Sequence, residues 1–313
     1  MKKLANPFIE VDKEENLDLI KSIKVLYICP TFHCNNACSH CFLKDLPYKL
    51  ELDKVIKSLE RILDINKTLA CDLFGGEPFT LSDEQLRQLE PYIFQRPLTL
   101  NTNLLFKEIS DYKWELLKKS DSVDTSFDFN RFENPMVLDM WLRNIERLKK
   151  ENIKFNTMTV MDHSTLEWSP KSFIELVNAI KPAYVELKFF VGENGPEPEL
   201  VDSWLCGLMD NWNTDSGNLV FAEFARIILE GRKWKDYCKN KNFTLFPDGK
   251  LRMGCPYGAY ILEKPECKFC SYFNACGGGC MLQSKCNFPK NLYEKMLKLN
   301  KDDLLRYKNW NNR

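Results

Sequence analysis

The segment Cys34-Asn35-Asn36-Ala37-Cys38-Ser39-His40-Cys41 decides how the rest of this chain is interpreted. It follows the apolar run 25–29 and precedes a helical pattern, so its three thiols can turn towards one small object. Thiolates at such short spacing suit zinc or an iron–sulfur cluster. A structural zinc site is closed by four ligands, whereas a cubane cluster held by three cysteines leaves one iron open to a substrate or cofactor. The motif therefore indicates a reactive centre, with a zinc knuckle that has a distant fourth ligand as the alternative.

Composition limits the class of protein. A chain of 313 residues that is 44% hydrophobic can form one large domain and a smaller one. Because 44 Lys and Arg residues balance 44 Asp and Glu residues, we do not expect nucleic acid to be the main partner. The sequence contains no signal peptide and no apolar run of membrane-spanning length, which predicts a cytoplasmic protein without a membrane partner. In that compartment the 13 cysteines are expected to be metal ligands or buried thiols.

Strand and helix patterns alternate along the first two thirds of the chain. Six apolar runs predict strands, at 25–29, 69–74, 98–102, 122–128, 153–161 and 184–191. Helical periodicity predicts helices at 51–65, 82–94, 107–119, 136–151 and 170–181. Such alternation predicts an α/β fold of parallel βα units, either doubly wound or a curved partial barrel. In both architectures ligands bind at the carboxyl ends of the strands.

Several candidate site residues fall at those strand ends. Gly75-Gly76-Glu77-Pro78 follows the second strand, and its two glycines let the backbone approach a ligand without a Cβ between them. The third strand ends in Asn101-Thr102-Asn103-Leu104 and the fourth in Thr125-Ser126-Phe127-Asp128. Ser126 and Asp128 either face a ligand or cap a turn.

Charged side chains near the later strands have two interpretations each. Arg131 is interpreted as a solvated side chain, with pairing to a ligand carboxylate as the alternative. Glu186 and Lys188 lie on the sixth strand, and the alternatives are that they point into the barrel or that one of them is exposed at an edge.

A second group of cysteines lies near the carboxyl terminus, after a Gly- and Pro-containing break at 192–203. The run 243–253 is predicted to be a β-hairpin with a turn at Pro247-Asp248-Gly249, which would bring Cys255 beside Cys238. The group is too dense for a single four-ligand site, so two metal centres or spare thiols are predicted, with a zinc-ribbon-like module as the alternative. Its members are Cys238, Cys255, Cys267, Cys270, Cys276, Cys280 and Cys286. Cys29 and Cys71 lie within predicted strands and are interpreted as core.

The predicted domains follow from these breaks. They are a lead-in at 1–22 that packs on the first strand, a barrel at 23–192, a helical region at 193–235, a cysteine-rich domain at 236–290 and one amphipathic C-terminal helix at 291–313.

The CxxxCxxC motif of Cys34, Cys38 and Cys41, together with the Gly-Gly-Glu-Pro motif, resembles the radical S-adenosylmethionine (SAM) superfamily. This resemblance implies a (β/α)6 partial TIM barrel, a 4Fe–4S cluster whose open iron binds SAM, and cleavage of SAM to a 5′-deoxyadenosyl radical. It also implies that Gly75, Gly76, Glu77 and Pro78 bind the SAM amino group, that Asn103 belongs to a further cofactor-binding element, and that Ser126 and Asp128 reach the ribose. Relatives often have Thr-Asn-Gly at the third strand, so Leu104 is a departure.

The C-terminal cysteines resemble the SPASM extension of peptide-modifying radical SAM enzymes, which holds two auxiliary 4Fe–4S clusters. Carried over by position, the ligands of the distal cluster are Cys267, Cys270, Cys276 and Cys286, and those of the inner cluster are Cys238, Cys255 and Cys280. The spacing from Gly249 to Cys255 is one residue longer than usual. The fourth inner ligand is either Cys206 or a substrate at an open iron.

Both resemblances imply an oxidoreductase that uses SAM and three 4Fe–4S clusters to modify a ribosomally synthesised peptide (a RiPP), for example by a carbon–carbon or thioether cross-link. The implied partners are a precursor peptide and an electron donor such as flavodoxin or ferredoxin. Because 22 residues before the first strand are too few for a winged-helix-like leader-binding domain, we expect the barrel mouth, the cysteine domain or a separate protein to recognise the peptide. The alternatives are a formylglycine maturase for sulfatases, a small-molecule dehydrogenase and a non-catalytic zinc-binding interaction protein.

Overall fold

The computed structural model describes residues 8–38, 41, 43, 49–190, 194–234, 243–253, 267, 269–277 and 286–309. The chain divides into two compact units. The first consists of residues 1–125, 136–154 and 238–260, and the second of residues 126–135, 155–237 and 261–313. Both units are discontinuous in sequence, whereas the predicted domains were continuous segments; those domain boundaries stay predictions.

The described elements follow the predicted alternation. The strands are β1 Phe8–Ile9, β2 Val25–Ile28, β3 Ala70–Leu73, β4 Leu98–Thr102, β5 Ser122–Ser126, β6 Phe155–Met161, β7 Tyr184–Phe189, β8 Gly217–Asn218, β9 Phe243–Leu245 and β10 Leu251–Met253. The helices are α1 Leu17–Lys21, α2 Leu52–Ile65, α3 Asp83–Ile93, α4 Asp111–Lys119, α5 Pro135–Lys150, α6 His163–Glu167, α7 Pro170–Ile180, α8 Pro198–Asn211, α9 Leu219–Glu230, α10 Phe273–Cys276, α11 Lys290–Leu297 and α12 Lys301–Lys308. Strands β2 to β7 and the helices between them confirm the predicted α/β alternation.

Serine residues set where three of these helices begin. The hydroxyl oxygens of Ser82, Ser110 and Ser169 each accept a hydrogen bond from the backbone N–H three residues later. Such a bond satisfies one of the N–H groups that have no partner within the helix. The helix starts could therefore be predicted to within a few residues.

Parallel strands form the centre of the first unit. β2 pairs with β3, β3 with β4 and β4 with β5, all in parallel. Along each strand fully buried side chains alternate with half-buried ones, so that Leu26, Leu73, Leu100 and Val123 lie on the buried face. This pattern places the core of the unit on one side of the sheet.

The hairpin at 243–253 is confirmed, and it joins this same sheet. β9 pairs with β10 in antiparallel fashion and with β2 in parallel. Gly249 has a φ of 74° in the hairpin turn, a conformation that favours glycine. Arg252 donates to both carboxylate oxygens of Asp248, at 2.9 and 2.8 Å, across the turn.

The lead-in does not pack on the first parallel strand as a strand neighbour. Its strand β1 pairs with β10 in antiparallel fashion, with Phe8 opposite Arg252. The hairpin strand β9 lies beside β2 instead, and packing of the lead-in against the first strand stays a prediction.

The second unit contains the remaining parallel strands and most of the C-terminal helices. β6 pairs with β7 in parallel over five residue pairs, and β7 pairs with β8. The predicted single C-terminal helix is two helices, α11 and α12. Asn300 separates them because its side chain accepts from the Asp303 N–H and starts a new helix.

No helix within the described ranges combines the length and the apolar character needed to cross a membrane.

The start of α11 depends on a side chain from another helix. Asp202 of α8 is 5% exposed, and its two carboxylate oxygens accept from the N–H groups of Asn291 and Leu292 at 2.8 and 2.9 Å. Pro289, at the N-cap of α11, provides no side-chain hydrogen bond. Asp202 therefore caps a helix that its own sequence does not cap.

Replacing Asp202 with Ala should lower the free energy of unfolding by about 1–3 kcal/mol, because the buried N–H of Leu292 and the partly buried N–H of Asn291 lose their acceptor. Chemical denaturation measures the change. The matched control is Asp210→Ala, which removes an exposed ion pair with Lys295 and should cost less than about 1 kcal/mol. Equal effects of the two substitutions would contradict the capping role.

Candidate active site

The three N-terminal cysteines lie on a loop that continues directly from β2. Cys34, Cys38 and Cys41 are each half-buried, and the Cys41 N–H donates to the Cys38 carbonyl at 3.2 Å. The backbone N–H of Asn36 lies 3.4 Å from the Cys34 sulfur, and its side-chain nitrogen lies 3.3 Å from the Cys38 sulfur. N–H groups that donate to sulfur stabilise thiolate ligands and tune iron–sulfur clusters. The donor set of this loop therefore fits a cluster.

The two glycines of Gly75-Gly76-Glu77-Pro78 bring the end of β3 against the base of this loop. The N–H of Gly76 donates to the Thr31 carbonyl at 2.9 Å, and the N–H of Glu77 donates to the His33 carbonyl at 2.8 Å. A Cβ on Gly75 would lie 2.5 Å from the Thr31 oxygen, and a Cβ on Gly76 would lie 2.2 Å from the His33 oxygen. Both positions therefore exclude any side chain. The sequence analysis expected the two glycines to allow close approach of a ligand. In the structure they allow close approach of the backbone that leads into the cysteine loop.

The side chain of Glu77 connects the ends of two strands. It is 1% exposed. One carboxylate oxygen accepts from the Phe79 N–H at 3.0 Å and the Thr102 hydroxyl at 2.9 Å, and the other accepts from the Asn103 N–H at 2.7 Å. A buried carboxylate is stable only when such donors replace water. Glu77 thereby fixes the position of Asn103 relative to the glycine motif.

Asn103 extends these contacts to the cysteine loop. Its side-chain nitrogen donates to the Asn35 side-chain oxygen at 2.7 Å and lies 3.6 Å from the Cys34 sulfur. The structure thus brings together Cys34, Gly76, Glu77 and Asn103, all of which the sequence analysis predicted as site residues. Their direct contacts with SAM stay predictions.

Leu104 keeps the backbone conformation that glycine would adopt at this position. Its φ is 55°, in the left-handed region, and its side chain is fully buried. Its carbonyl accepts from the side-chain nitrogen of Asn144 at 2.8 Å, as does the Phe106 carbonyl at 2.9 Å. A left-handed conformation costs a non-glycine residue about 1–2 kcal/mol, which burial of a leucine side chain offsets by about 1.5–3 kcal/mol. Leucine in place of glycine at position 104 therefore adds a buried side chain, while the backbone of the turn stays in the left-handed conformation.

Cys29 and Cys71 are core residues, as predicted. They are 0% and 1% exposed. Burial raises the pKa of the Cys29 thiol well above its usual range and raises the pKa of Cys71 to about 12. Neutral thiols of this kind pack as small apolar groups.

Ser126 and Asp128 lie at the start of the second unit. Asp128 is 1% exposed, and its carboxylate accepts from the Val160 N–H at 3.0 Å and pairs with the Arg131 guanidinium at 3.0 Å. The side chain of Arg131 is 7% exposed, so the interpretation of a solvated arginine was wrong. The reason is local, since a single 3-10 turn at Phe129–Arg131 places the arginine beside the carboxylate. Ser126 is half-buried at the end of β5.

Glu186 and Lys188 form an ion pair with each other on β7, at 2.5 Å. The side chain of Lys188 is 45% exposed and that of Glu186 is 20% exposed. Lys188 is therefore the exposed one of the two, but β7 is not an edge strand, because it pairs with β6 on one side and with β8 on the other.

The second cysteine group is described in part. Cys267 and Cys270 lie in a turn in which the Cys270 N–H donates to the Cys267 carbonyl at 3.1 Å, Cys276 ends α10 with 7% exposure, and Cys286 is exposed. Cys238, Cys255 and Cys280 lie outside the described residues. Cys206 is half-buried on α8, where burial raises the pKa of its thiol. The predicted ligand sets stay predictions.

Within the part of the chain that the structure describes, no three His, Cys, Asp or Glu side chains gather closely enough to hold a single metal ion. A four-iron cluster holds its cysteine ligands farther apart than a single ion does, so this finding concerns mononuclear sites.

Comparisons with known proteins agree with this geometry. Residues 28–173, which include the cysteine loop and the glycine motif, match the family model of the Radical SAM superfamily. The fold is similar to that of native anSMEcpe with bound AdoMet and Cp18Cys peptide, with a TM-score of 0.71 and 18% identity over 91% of this chain and 98% of the other. Streptococcus suis SuiB is similar with a TM-score of 0.59 and 13% identity over 86% of this chain and 76% of the other. These likenesses confirm the predicted partial barrel and cover the C-terminal region.

One curated relative matches a shorter part of the chain. An uncharacterized protein of Archaeoglobus fulgidus is 29% identical over 110 residues, which are 34% of this chain and 26% of that protein. The match therefore spans about a quarter of the relative's length.

Replacing Gly76 with Ala should displace the cysteine loop, because its new Cβ overlaps the His33 carbonyl. We expect a loss of about 1–3 kcal/mol in the free energy of unfolding and loss of most of the iron bound at this loop. Denaturant titration and iron analysis measure the two effects. The control is Gly231→Ala, where the φ of 65° strains an alanine but no atom lies within 4 Å of the added Cβ, so this variant should lose stability without losing iron. Wild-type iron content in the Gly76 variant would show that the close approach does not matter for the loop.

Proposed function

We propose that the radical SAM domain of residues 28–173 reductively cleaves SAM and modifies a ribosomally synthesised peptide by hydrogen abstraction. The observation that carries the proposal is the cysteine loop, whose sulfurs accept from N–H groups and whose base is docked on Gly75-Gly76. Three cysteines leave one site of a 4Fe–4S cluster for another ligand. That arrangement suits an amino acid chelate such as the methionine part of SAM.

Cys34, Cys38 and Cys41 would hold the cluster. When bound and reduced, the cluster would supply the one electron needed to cleave SAM to methionine and a 5′-deoxyadenosyl radical, the species that would abstract a hydrogen atom from the substrate. The residues of the chain provide the remaining requirements. Asn36 donates to two ligand sulfurs, and Glu77 is fixed by the Phe79 and Asn103 N–H groups. An external electron donor such as flavodoxin or ferredoxin is required.

The similarity of the fold to that of a peptide-bound structure supports a peptide substrate. The structure of anSMEcpe, similar over 91% of this chain, contains bound AdoMet and a peptide. The C-terminal region adds the thiols expected of two auxiliary clusters, with Cys267, Cys270, Cys276 and Cys286 for one and Cys238, Cys255 and Cys280 for the other. An auxiliary cluster supplies a one-electron acceptor when bound, which suits products that are more oxidised than the substrate.

The simultaneous replacement of Cys34, Cys38 and Cys41 by Ala should abolish SAM cleavage and remove about one third of the iron, because the two auxiliary clusters keep their ligands. Chromatography of 5′-deoxyadenosine after dithionite reduction and iron and sulfide analysis of anaerobically reconstituted protein measure both effects. Survival of SAM cleavage in the triple variant would overturn the proposal. Zinc in place of iron in the wild-type protein would favour a zinc-binding interaction protein.

Replacing Cys280 with Ala separates peptide oxidation from simple hydrogen abstraction. If the product must lose an electron, the variant should still form 5′-deoxyadenosine but lose most of the modified peptide. Side-by-side measurement of 5′-deoxyadenosine and of modified product with a candidate precursor peptide tests this, with circular dichroism as a control for folding. Parallel loss of both products in a folded variant would count against an electron-acceptor role.

A further inference from the structure

Asn103 has its backbone N–H and both polar atoms of its side chain engaged in contacts that fix the side chain. Its backbone N–H donates to Glu77 at 2.7 Å, and its side-chain oxygen accepts from the Leu105 N–H at 2.8 Å. The side-chain nitrogen donates to the Asn35 oxygen at 2.7 Å and reaches the Cys34 sulfur at 3.6 Å. The residue is 7% exposed, so water does not compete strongly for these bonds.

The orientation of the Asn103 amide follows from its neighbours. The two ends of an amide group have similar shape and are distinguished by their hydrogen bonds. The Leu105 N–H requires an acceptor, and the Asn35 oxygen requires a donor. The amide nitrogen must therefore point to the cysteine loop, with one hydrogen towards Asn35 and the other towards the Cys34 sulfur.

Asn103 differs in origin from the other donor near Cys34. Asn36 belongs to the cysteine loop itself and moves with it. Asn103 instead follows β4 and lies 69 residues after Cys34 in the chain. Glu77 holds Asn103 by its backbone, and Glu77 belongs to the motif that is docked on the loop. The amide is thus presented to Cys34 from a fixed support.

We infer that Asn103 is a positioning residue for the Cys34 ligand and sets the reduction potential of the cluster held by Cys34, Cys38 and Cys41. This inference rests on the proposed function. A hydrogen bond to a ligand sulfur stabilises the more negative, reduced cluster more than the oxidised one, so it raises the potential. The effect makes the cluster easier to reduce by a given electron donor.

The test compares two substitutions that remove the donor facing the sulfur; Asn103→Leu also removes the acceptor of the Leu105 N–H, which Asn103→Asp keeps. Asn103→Leu removes the donor and keeps a similar volume. Asn103→Asp keeps the acceptor for the Leu105 N–H, removes the donor and adds negative charge beside Cys34. We expect the potential to fall in Asn103→Leu and to fall further in Asn103→Asp, as measured by redox titration of the EPR signal that responds to added SAM.

Two control variants separate this effect from general damage to the loop. Asn101→Leu alters an asparagine on β4 whose amide nitrogen donates to Asp72 at 2.5 Å instead of to sulfur. Asn35→Ala removes the other partner of the Asn103 amide and the hydrogen bond from Asn35 to the Leu105 carbonyl, and it leaves the Asn103 amide opposite Cys34. The 3.9 Å contact from the Cys34 thiol to the Asn35 oxygen needs a sulfur proton, which a cluster ligand lacks. Both variants should retain the wild-type potential.

The possible outcomes distinguish the two proposals. A wild-type potential in Asn103→Leu or Asn103→Asp overturns the inference and leaves the proposed function intact. An equal fall of the potential in Asn35→Ala also overturns it, because the loop position would then be responsible. If Asn103→Leu does not fold, Asn103→Ala, which removes the donor without adding charge, decides in its place. Absence of a SAM-responsive cluster in the wild-type protein would instead overturn the proposed function.

Discussion

The carboxylate of Glu77 is the contact on which the candidate site depends. A carboxylate that is 1% exposed requires several donors in place of water, and here they come from its own turn and from the end of β4. The same turn carries the two glycines that dock on residues 31–33. Consequently these contacts fix the relative positions of three chain segments that are far apart in sequence. The segments are the cysteine loop, the glycine motif and the Thr102-Asn103 turn. Few of these contacts involve exposed groups, so solvent has little influence on them.

Much of this arrangement could be predicted because local patterns dominate it. Apolar periodicity located the helices, and the two cysteine motifs suggested the chemistry. The pairing of strands that are far apart in sequence could not be predicted. The alternation in 243–253 predicts a hairpin, but it does not indicate that β9 lies beside β2. The acidity of Glu77 predicts a polar role, yet two of its three donors, Thr102 and Asn103, depend on the register of β3 and β4.

Two residues show how residue type can mislead. Arginines are usually exposed, but Arg131 is buried because a short turn brings it to Asp128. Leucine at position 104 suggests a changed turn, whereas the backbone keeps the left-handed conformation and the side chain joins the core. In both cases the environment outweighs the intrinsic preference. Asn103 is a third case, since a small polar residue after a strand gives no sign in sequence that its amide reaches a sulfur.

The position of β9 beside β2 has a consequence for biosynthesis. β2 ends at residue 28 and β9 begins at residue 243, so the sheet of the first unit acquires its edge strands only after most of the chain has left the ribosome. Pairing across such a separation is slow compared with local folding. Until then β2 has an open edge, the kind of surface that promotes aggregation. The nascent chain would therefore carry a reactive cysteine loop beside an unfinished sheet, which makes the timing of cluster insertion relative to chain completion important for the yield of active protein.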